Sequence, residues 1–175
     1  MTANTLATLK GSSIISALHN ASVHTVVALP DIVTCAGLLW PLSNNPYFRL
    51  IPVCKEDEGV SICAGLSYCN QRSVLLIQHT GFLDSLNAIR AIAVEYQLPI
   101  VMLVGLQGME PDRRDPSESD RLGIRIIQPI CEAMKLTTYL MNDDASVEKL
   151  SSEIEKAYEF SRPVVFLITQ HLSAD

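Results

Sequence analysis

Six short apolar runs recur along this chain, and their spacing constrains the fold more than any other feature. They are mostly continuous rather than alternately apolar and polar, which is typical of strands covered on both faces. Segments of helix length separate them, which predicts βαβ crossovers. The sequence therefore predicts an α/β fold, with a doubly wound, mostly parallel six-stranded sheet and helices on both faces. The predicted strands are residues 24–30, 48–53, 73–79, 99–105, 136–141 and 163–169.

Helices are predicted between these strands from apolar stripes at helical spacing. Asp144 is the predicted N-cap of the last helix. A chain of 175 residues without a linker or low-complexity tract suits one domain, so we expect residues 1–175 to fold as a unit. The predicted helices are residues 5–20, 31–42, 57–70, 82–96, 119–134 and 145–161.

The composition argues against several classes of protein. A net charge of −6 does not provide the basic face of a nucleic-acid binder. No apolar run reaches the roughly 18 residues that span a membrane. The five cysteines form no CxxC pair, which argues against a zinc site or a disulfide framework. Together with the lack of a signal-peptide pattern, this predicts a cytoplasmic protein with reduced thiols.

Common catalytic motifs are missing, and a nucleophilic cysteine is not supported. The sequence contains no GxGxxG after its first strand, no GxxxxGK[ST] and no GxSxG. Cys63 lies in an apolar helical stretch without a histidine at helical spacing, so we interpret it as a core residue.

Ligands of such sheets bind beyond the carboxyl ends of the strands. The segments at that edge are Pro30-Asp31, Lys55-Glu56, 78–81 and 105–108. His79 is the one histidine predicted there, and it fits a loop position as well as a functional one.

The loop 106–120 is long and polar, as lids and specificity elements often are. Arg113 and Arg114 in it could contact an anionic substrate or a partner chain. The alternative for each arginine is an ordinary place in a solvated surface loop.

Three adjacent acids, Glu56, Asp57 and Glu58, open the third predicted helix. The helix macrodipole stabilises such charges by roughly 0.3–1 kcal/mol, which alone accounts for Asp57 and Glu58. Glu56 differs because it is predicted at the junction of strand and helix, above the small apolar residues Val60 and Cys63. A carboxylate placed there is a candidate for chemistry.

Four stretches then resemble the pyrimidine-binding domain of thiamine-diphosphate enzymes, and they span most of the chain in order. Glu56 with Gly65 nine residues later in a small-residue helix is the most specific part. Within that superfamily the sequence is most similar to the alpha subunits of sulfopyruvate decarboxylase and to the related phosphonopyruvate decarboxylases. The stretches are LPD at 29–31, IPVCKEDEGVSICAGL at 51–66, QHTGFLDSLNAI at 78–89 and LPIVMLVGLQGMEP at 98–111.

The resemblance implies roles for individual residues. Glu56 would reach N1′ of the cofactor's aminopyrimidine and act in catalysis, together with His79. Gln78, Gly81 and Asn87 would line the cofactor. The substrate would lie near Pro30 and Asp31, and near Arg113 and Arg114.

The chain also departs from the family pattern. His79 replaces an asparagine of the pattern, and Ile32 and Cys35 stand where a serine and a lysine are usual. These two changes leave the acid group of the substrate open.

One sequence motif of the family is absent from this chain, and its absence implies a partner chain. The family holds Mg²⁺ and the diphosphate through a GDG sequence, which this chain lacks. The resemblance therefore implies a beta subunit that carries the diphosphate-binding domain and most Mg²⁺ contacts, in a hetero-oligomer such as α2β2 or larger. No metal ligand is expected in this chain.

The predicted function is the alpha subunit of a thiamine-diphosphate-dependent 2-oxoacid decarboxylase. Sulfopyruvate, converted to sulfoacetaldehyde and CO₂, or phosphonopyruvate would be the substrate. The alternatives are a carboligase that forms acyloins and a non-catalytic module that retains the fold.

Overall fold

The computed structural model describes residues 9–113 and 115–173, and within them six parallel strands form one sheet. The strand order is β2-β1-β3-β4-β6-β5. The predicted α/β fold and all six predicted strands are confirmed. The strands are β1 Thr25–Ala28, β2 Arg49–Pro52, β3 Ser73–Gln78, β4 Val101–Gly105, β5 Thr137–Met141 and β6 Val164–Ile168.

Helices cover both faces of this sheet. Two π-helical segments, Cys35–Leu39 and Ile89–Val94, and a short 3₁₀ helix, Pro116–Glu118, join the α-helices. The α-helices of the described residues are α1 Gly11–Asn20, α2 Trp40–Ser43, α3 Glu56–Tyr68, α4 His79–Asp84, α5 Leu86–Ala88, α6 Leu122–Arg125, α7 Ile127–Ala133, α8 Asp144–Val147 and α9 Leu150–Glu159.

The apolar runs supply two separate cores. In β3, Val74 and Leu76 pack into the core beneath α1, α8 and α9. Leu75 and Ile77 point to the opposite face and pack into the core beneath α3 and α7. Successive side chains of a strand alternate between faces, so a strand buried on both sides must be apolar throughout. The continuous apolar pattern therefore follows from the three-layer architecture.

Only the inner strands of the sheet are covered on both faces. All residues of β1, β4 and β6 are buried. Most residues of the edge strands β2 and β5 are half-buried or exposed. The prediction that both faces are covered is wrong for these two strands, because each lacks a neighbour on one side.

Several predicted boundaries are also corrected. The third strand ends at Gln78, so His79 begins α4 instead of ending a strand. The helix predicted at 82–96 begins earlier and is interrupted at Ser85. α8 is capped by Asp143, whose Oδ1 accepts a hydrogen bond of 2.9 Å from Ser146 N. Asp144 instead accepts one of 2.9 Å from Lys10 N through Oδ1.

The helix predicted at 5–20 is observed from Gly11 onward, and residues 5–8 lie outside the described part of the chain. The segments at 9–11 and 172–173 lie side by side. Gly11 N donates to Ser173 O at 3.3 Å, and Ser173 N donates to Leu9 O at 3.2 Å. Across residues 9–113 and 115–173, no helix has the length and apolar character needed to cross a membrane.

The strand order places a reversal of winding beside β1. The chain moves from β1 to β2 on one side and then returns to β3 on the other side. Ligands of open α/β sheets bind in the crevice that such a reversal opens at the carboxyl ends of the strands. The residues that follow β1, β3 and β4 are thus the ones to inspect.

Candidate active site

Asp31 follows β1 and is fixed by hydrogen bonds on both carboxylate oxygens. Its Oδ1 accepts from Val33 N at 2.9 Å, and its Oδ2 accepts from Thr34 Oγ1 at 2.8 Å. The side chain is only 2% exposed and lies against the end of β4. A Cβ added at Gly105 would be 2.4 Å from Asp31 Oδ2, so this packing requires a glycine. Asp31 is therefore a rigid carboxylate at the carboxyl edge of the sheet.

Gln78 joins the ends of three strands. Its Nε2 donates to Gln107 Oε1 at 2.6 Å and lies 3.4 Å from Asp31 Oδ1. Its Oε1 accepts from Thr80 Oγ1 at 2.5 Å. Because both ends of the amide are used, its orientation is defined by the residues around it.

His79 is the first residue of α4 and is buried, with 6% of its surface exposed. Its Nδ1 is buried without a hydrogen-bond partner in the described part of the chain. Burial lowers the pKa of His79, and the charge of Arg121 acts in the same direction. The nearby Gly105 backbone and the Asp31 carboxylate oppose this shift in pKa. The neutral imidazole is thus favoured, a form that can take up or release a proton.

The three acids at the start of α3 have different surroundings. Glu58 folds back on the chain, and its Oε2 accepts from Cys54 N at 3.0 Å and from Lys55 N at 3.2 Å. Asp57 Oδ1 accepts from Glu58 N at 3.0 Å. The Glu56 carboxylate has no hydrogen bond and no ion pair with any residue of 9–113 or 115–173. Glu56 is the acid of the three that is left for another partner.

Gly81 receives the Glu56 side chain. A Cβ added at Gly81 would be 2.0 Å from Glu56 Oε1 and 2.2 Å from its Cδ. The carboxylate therefore lies directly on the backbone of α4, two residues beyond His79. This contact joins the start of α3 to the start of α4 and requires a glycine at position 81.

The remaining predicted residues are not brought to these contacts. Pro30 and Arg113 are exposed. Asn87 is exposed and accepts a hydrogen bond of 3.0 Å from Arg90 Nη2. Arg114 lies outside the described residues.

Two further residues at this edge, Gln107 and Arg121, were not among the predicted site residues. Gln107 pairs with Gln78 and lies two residues after β4, within the segment 105–108 that was predicted at this edge. Arg121 packs over Gly108, whose φ of +83° lets the chain turn back at that point. No sequence spacing predicts that contact, because it depends on the path of the long loop.

Metal binding finds no support among the side chains that the structure describes. They include no group of three or more His, Cys, Asp or Glu residues able to hold an ion.

Comparisons with known proteins find relatives of similar sequence. No protein-family model matches the chain. The alpha subunit of sulfopyruvate decarboxylase from Methanococcus maripaludis is 30% identical over 95 residues. That match covers 53% of this chain and 57% of the relative, so it spans little more than half of that protein.

Two further relatives extend the similarity. The alpha subunit of sulfopyruvate decarboxylase from Methanocaldococcus jannaschii is 24% identical over 161 residues, which are 91% of this chain and 93% of the relative. A sulfopyruvate decarboxylase from Methanosarcina acetivorans is 29% identical over 76% of this chain but only 33% of its own length. The resemblance predicted from the motifs is confirmed: the chain is similar, at 24–30% identity, to proteins named as alpha subunits of sulfopyruvate decarboxylase.

Proposed function

We propose that this chain is the alpha subunit of a thiamine-diphosphate-dependent 2-oxoacid decarboxylase. Sulfopyruvate, which would yield sulfoacetaldehyde and CO₂, is the substrate that the names of the relatives favour. The observation that carries the proposal is the Glu56 carboxylate, which packs on Gly81 and has no partner among the described residues.

The surroundings of Glu56 fit the pyrimidine ring of the cofactor. Asp57 and Glu58 both accept backbone hydrogen bonds, whereas the half-buried Glu56 carboxylate is left to bind a ring nitrogen. The missing side chain at Gly81 provides the room that the carboxylate occupies. Thiamine diphosphate, when bound, supplies the electron sink for loss of CO₂.

The residues of this chain contribute orientation and proton transfer. Glu56 stands at the first turn of a 13-residue helix, a rigid element that holds its carboxylate in place against the ring nitrogen. His79 is a neutral, buried base at the same edge and is suited to exchange a proton with the substrate. Asp31 and Gln107 hold the Gln78 amide toward that edge.

A partner chain completes the proposed enzyme. Two of the relatives described above are named as alpha subunits. The Methanosarcina acetivorans relative extends well beyond the matched third of its length. These facts support a second polypeptide, a beta subunit, that carries the diphosphate and Mg²⁺ site, in an α2β2 or larger assembly. Residues 1–175 would then be the pyrimidine-binding domain alone.

The test compares two neighbouring acids in the reconstituted complex. The chain is co-expressed with a subunit that carries the GDG motif, and decarboxylation of sulfopyruvate is measured with thiamine diphosphate and Mg²⁺. Glu56→Gln should lower kcat by roughly 10²- to 10⁴-fold, the usual contribution of a positioned acid or base. Asp57→Asn removes the same charge one residue away and should retain most activity.

Near-normal turnover of Glu56→Gln, with intact folding and pairing, would contradict the proposal. Product analysis separates the alternatives. An acyloin formed in the presence of an acceptor aldehyde identifies a carboligase, and no turnover of any 2-oxo acid by the complex identifies a non-catalytic module.

A further inference from the structure

Arg121 lies at the same edge of the sheet as His79, although the two are far apart in sequence. It directly precedes α6, and its guanidinium packs on the backbone of Gly108. A Cβ added at Gly108 would be 2.9 Å from Cζ and from Nε of Arg121. Gly108 has a φ of +83°, which favours glycine, so the turn and the close approach depend on the same residue.

The guanidinium of Arg121 acts on the Glu110 carboxylate only through its charge, which adds to the hydrogen bonds that lower the pKa of Glu110. Across the described ranges 9–113 and 115–173, it forms neither an ion pair nor a side-chain hydrogen bond. Glu110 in the same loop is occupied elsewhere, because its Oε2 accepts from Ser119 Oγ at 2.8 Å and its Oε1 accepts from Asp120 N at 3.3 Å. The guanidinium N–H donors therefore have no acceptor among the described residues.

His79 provides the second observation. Its Nδ1 is buried and has no partner in the part of the chain that the structure describes. Its Nε2 would be 3.5 Å from a Cβ at Gly123, so the ring lies beneath the turn that carries Arg121. Arg121 is close enough to act on the charge of His79. A buried imidazole whose Nδ1 lacks a hydrogen-bond partner, near a guanidinium that forms no ion pair with the described residues, indicates a site for a polar ligand.

Residues 29–35, which follow β1, include no cation. Ile32 is 62% exposed and Cys35 is half-buried, and neither side chain can neutralise an acid group. A planar guanidinium binds sulfonate or phosphonate oxygens with two parallel hydrogen bonds.

We propose that Arg121 binds the distal acid group of the 2-oxo acid substrate and so determines its specificity, with His79 beside the reacting end. This inference rests on the proposed function. It assigns the role to Arg121 and not to Arg113: both arginines are exposed, but only Arg121 packs on Gly108 and acts on the charge of His79.

The test uses two substrates that differ only in the acid group. Decarboxylation of sulfopyruvate and of pyruvate is measured in the reconstituted complex. Arg121→Met should raise KM for sulfopyruvate by roughly 10- to 100-fold, the value of a charge-assisted hydrogen bond, and should leave kcat/KM for pyruvate within about twofold. Arg121→Lys should restore part of the loss. Arg49→Met, an exposed arginine at the opposite edge, is the matched control and should change neither substrate.

A second measurement does not depend on turnover. Sulfoacetate is titrated into the full chain while the ring ¹⁵N resonances of His79 are followed by NMR, with His79→Gln for assignment. The resonances should shift in the wild-type chain and in Arg49→Met but not in Arg121→Met.

The outcomes separate the two proposals. The inference is overturned if Arg121→Met impairs both substrates equally, if Arg113→Met produces the selective loss, or if the shift persists in Arg121→Met. If the wild-type complex decarboxylates neither substrate, the proposed function fails, and the NMR titration still decides whether Arg121 binds the anion.

Discussion

At the scale of single residues, position determines which of several similar groups is free to act. Glu56, Asp57 and Glu58 carry the same charge in one helix turn, yet two of them accept backbone hydrogen bonds. The sequence predicted Glu56 from its place at the junction of strand and helix. The contact between Glu56 and Gly81 could not be predicted from the sequence, because it depends on how closely α3 and α4 approach each other.

Because the pKa of His79 is lowered, we expect the free energy of unfolding to decrease as the pH falls. Burial lowers its pKa in the folded state, whereas the unfolded chain has the ordinary value of about 6.5. As the pH falls below about 6.5, His79 takes up a proton more readily in the unfolded chain than in the folded chain. The folded state therefore loses the stability that the neutral His79 gives it at higher pH. The free energy of unfolding should thus fall more steeply between pH 8 and pH 5.5 in the wild-type chain than in His79→Gln.

Urea unfolding at several pH values measures this difference. The charges that face the ring, Asp31 and Arg121, are unchanged in the variant, so both proteins share the same background. Parallel pH curves for the two proteins would show that His79 is not held in its neutral form.

At the scale of elements, the strands were predictable and the ends of the helices were not. Continuous apolar runs predict strands because the inner strands are buried on both faces. Helix ends depend on local hydrogen bonds. Asp143 and Asp144 carry the same side chain, so the sequence could not show that Asp143 is the one that caps α8. Arg121 was missed for a related reason, since the loop path that brings it to the edge leaves no periodic signal.

The approach of α3 to α4 gives a prediction at this scale. Gly81→Ala should displace the Glu56 carboxylate, because the new Cβ would lie 2.0 Å from Oε1. The atom that must move is the end of a flexible side chain, so folding should be retained while decarboxylation falls nearly as far as in Glu56→Gln. Circular dichroism and steady-state kinetics of the reconstituted complex measure the two effects.

Gly65→Ala is the matched control for the fold. It adds the same methyl group to α3, at a position with nothing within 4 Å, and should stabilise the isolated chain by roughly 0.5–1 kcal/mol. Full activity of Gly81→Ala would show that the position of the Glu56 carboxylate does not matter.

At the scale of the whole molecule, one of the two cores buries two cysteine thiols, whereas two other thiols are exposed to solvent. Cys63 and Cys131 are buried on the face covered by α3 and α7. Burial raises the pKa of Cys63 to about 12, so its reactive thiolate is scarce at neutral pH. Cys54 and Cys69 are exposed at opposite ends of α3.

Thiol labelling should therefore test where the proposed beta subunit binds. In the chain alone, an aromatic disulfide reagent should modify Cys54 and Cys69 rapidly, and Cys63 and Cys131 only after unfolding. In the complex, Cys54 beside Glu56 should be protected at least tenfold, and Cys69 serves as the internal reference. Mass spectrometry of labelled peptides gives the rates. Equal labelling of Cys54 with and without the partner would place the interface away from the start of α3.

The pairing of residues 9–11 with residues 172–173 has a practical consequence for joining this chain and the proposed partner subunit on one polypeptide. A tether attached ahead of residue 9 and a tether attached after residue 173 leave the molecule from the same spot. Either gene order would hold a fused second half at a similar effective concentration, which linker length would then tune. Joining the two ends directly and opening an exposed loop should likewise preserve the sheet.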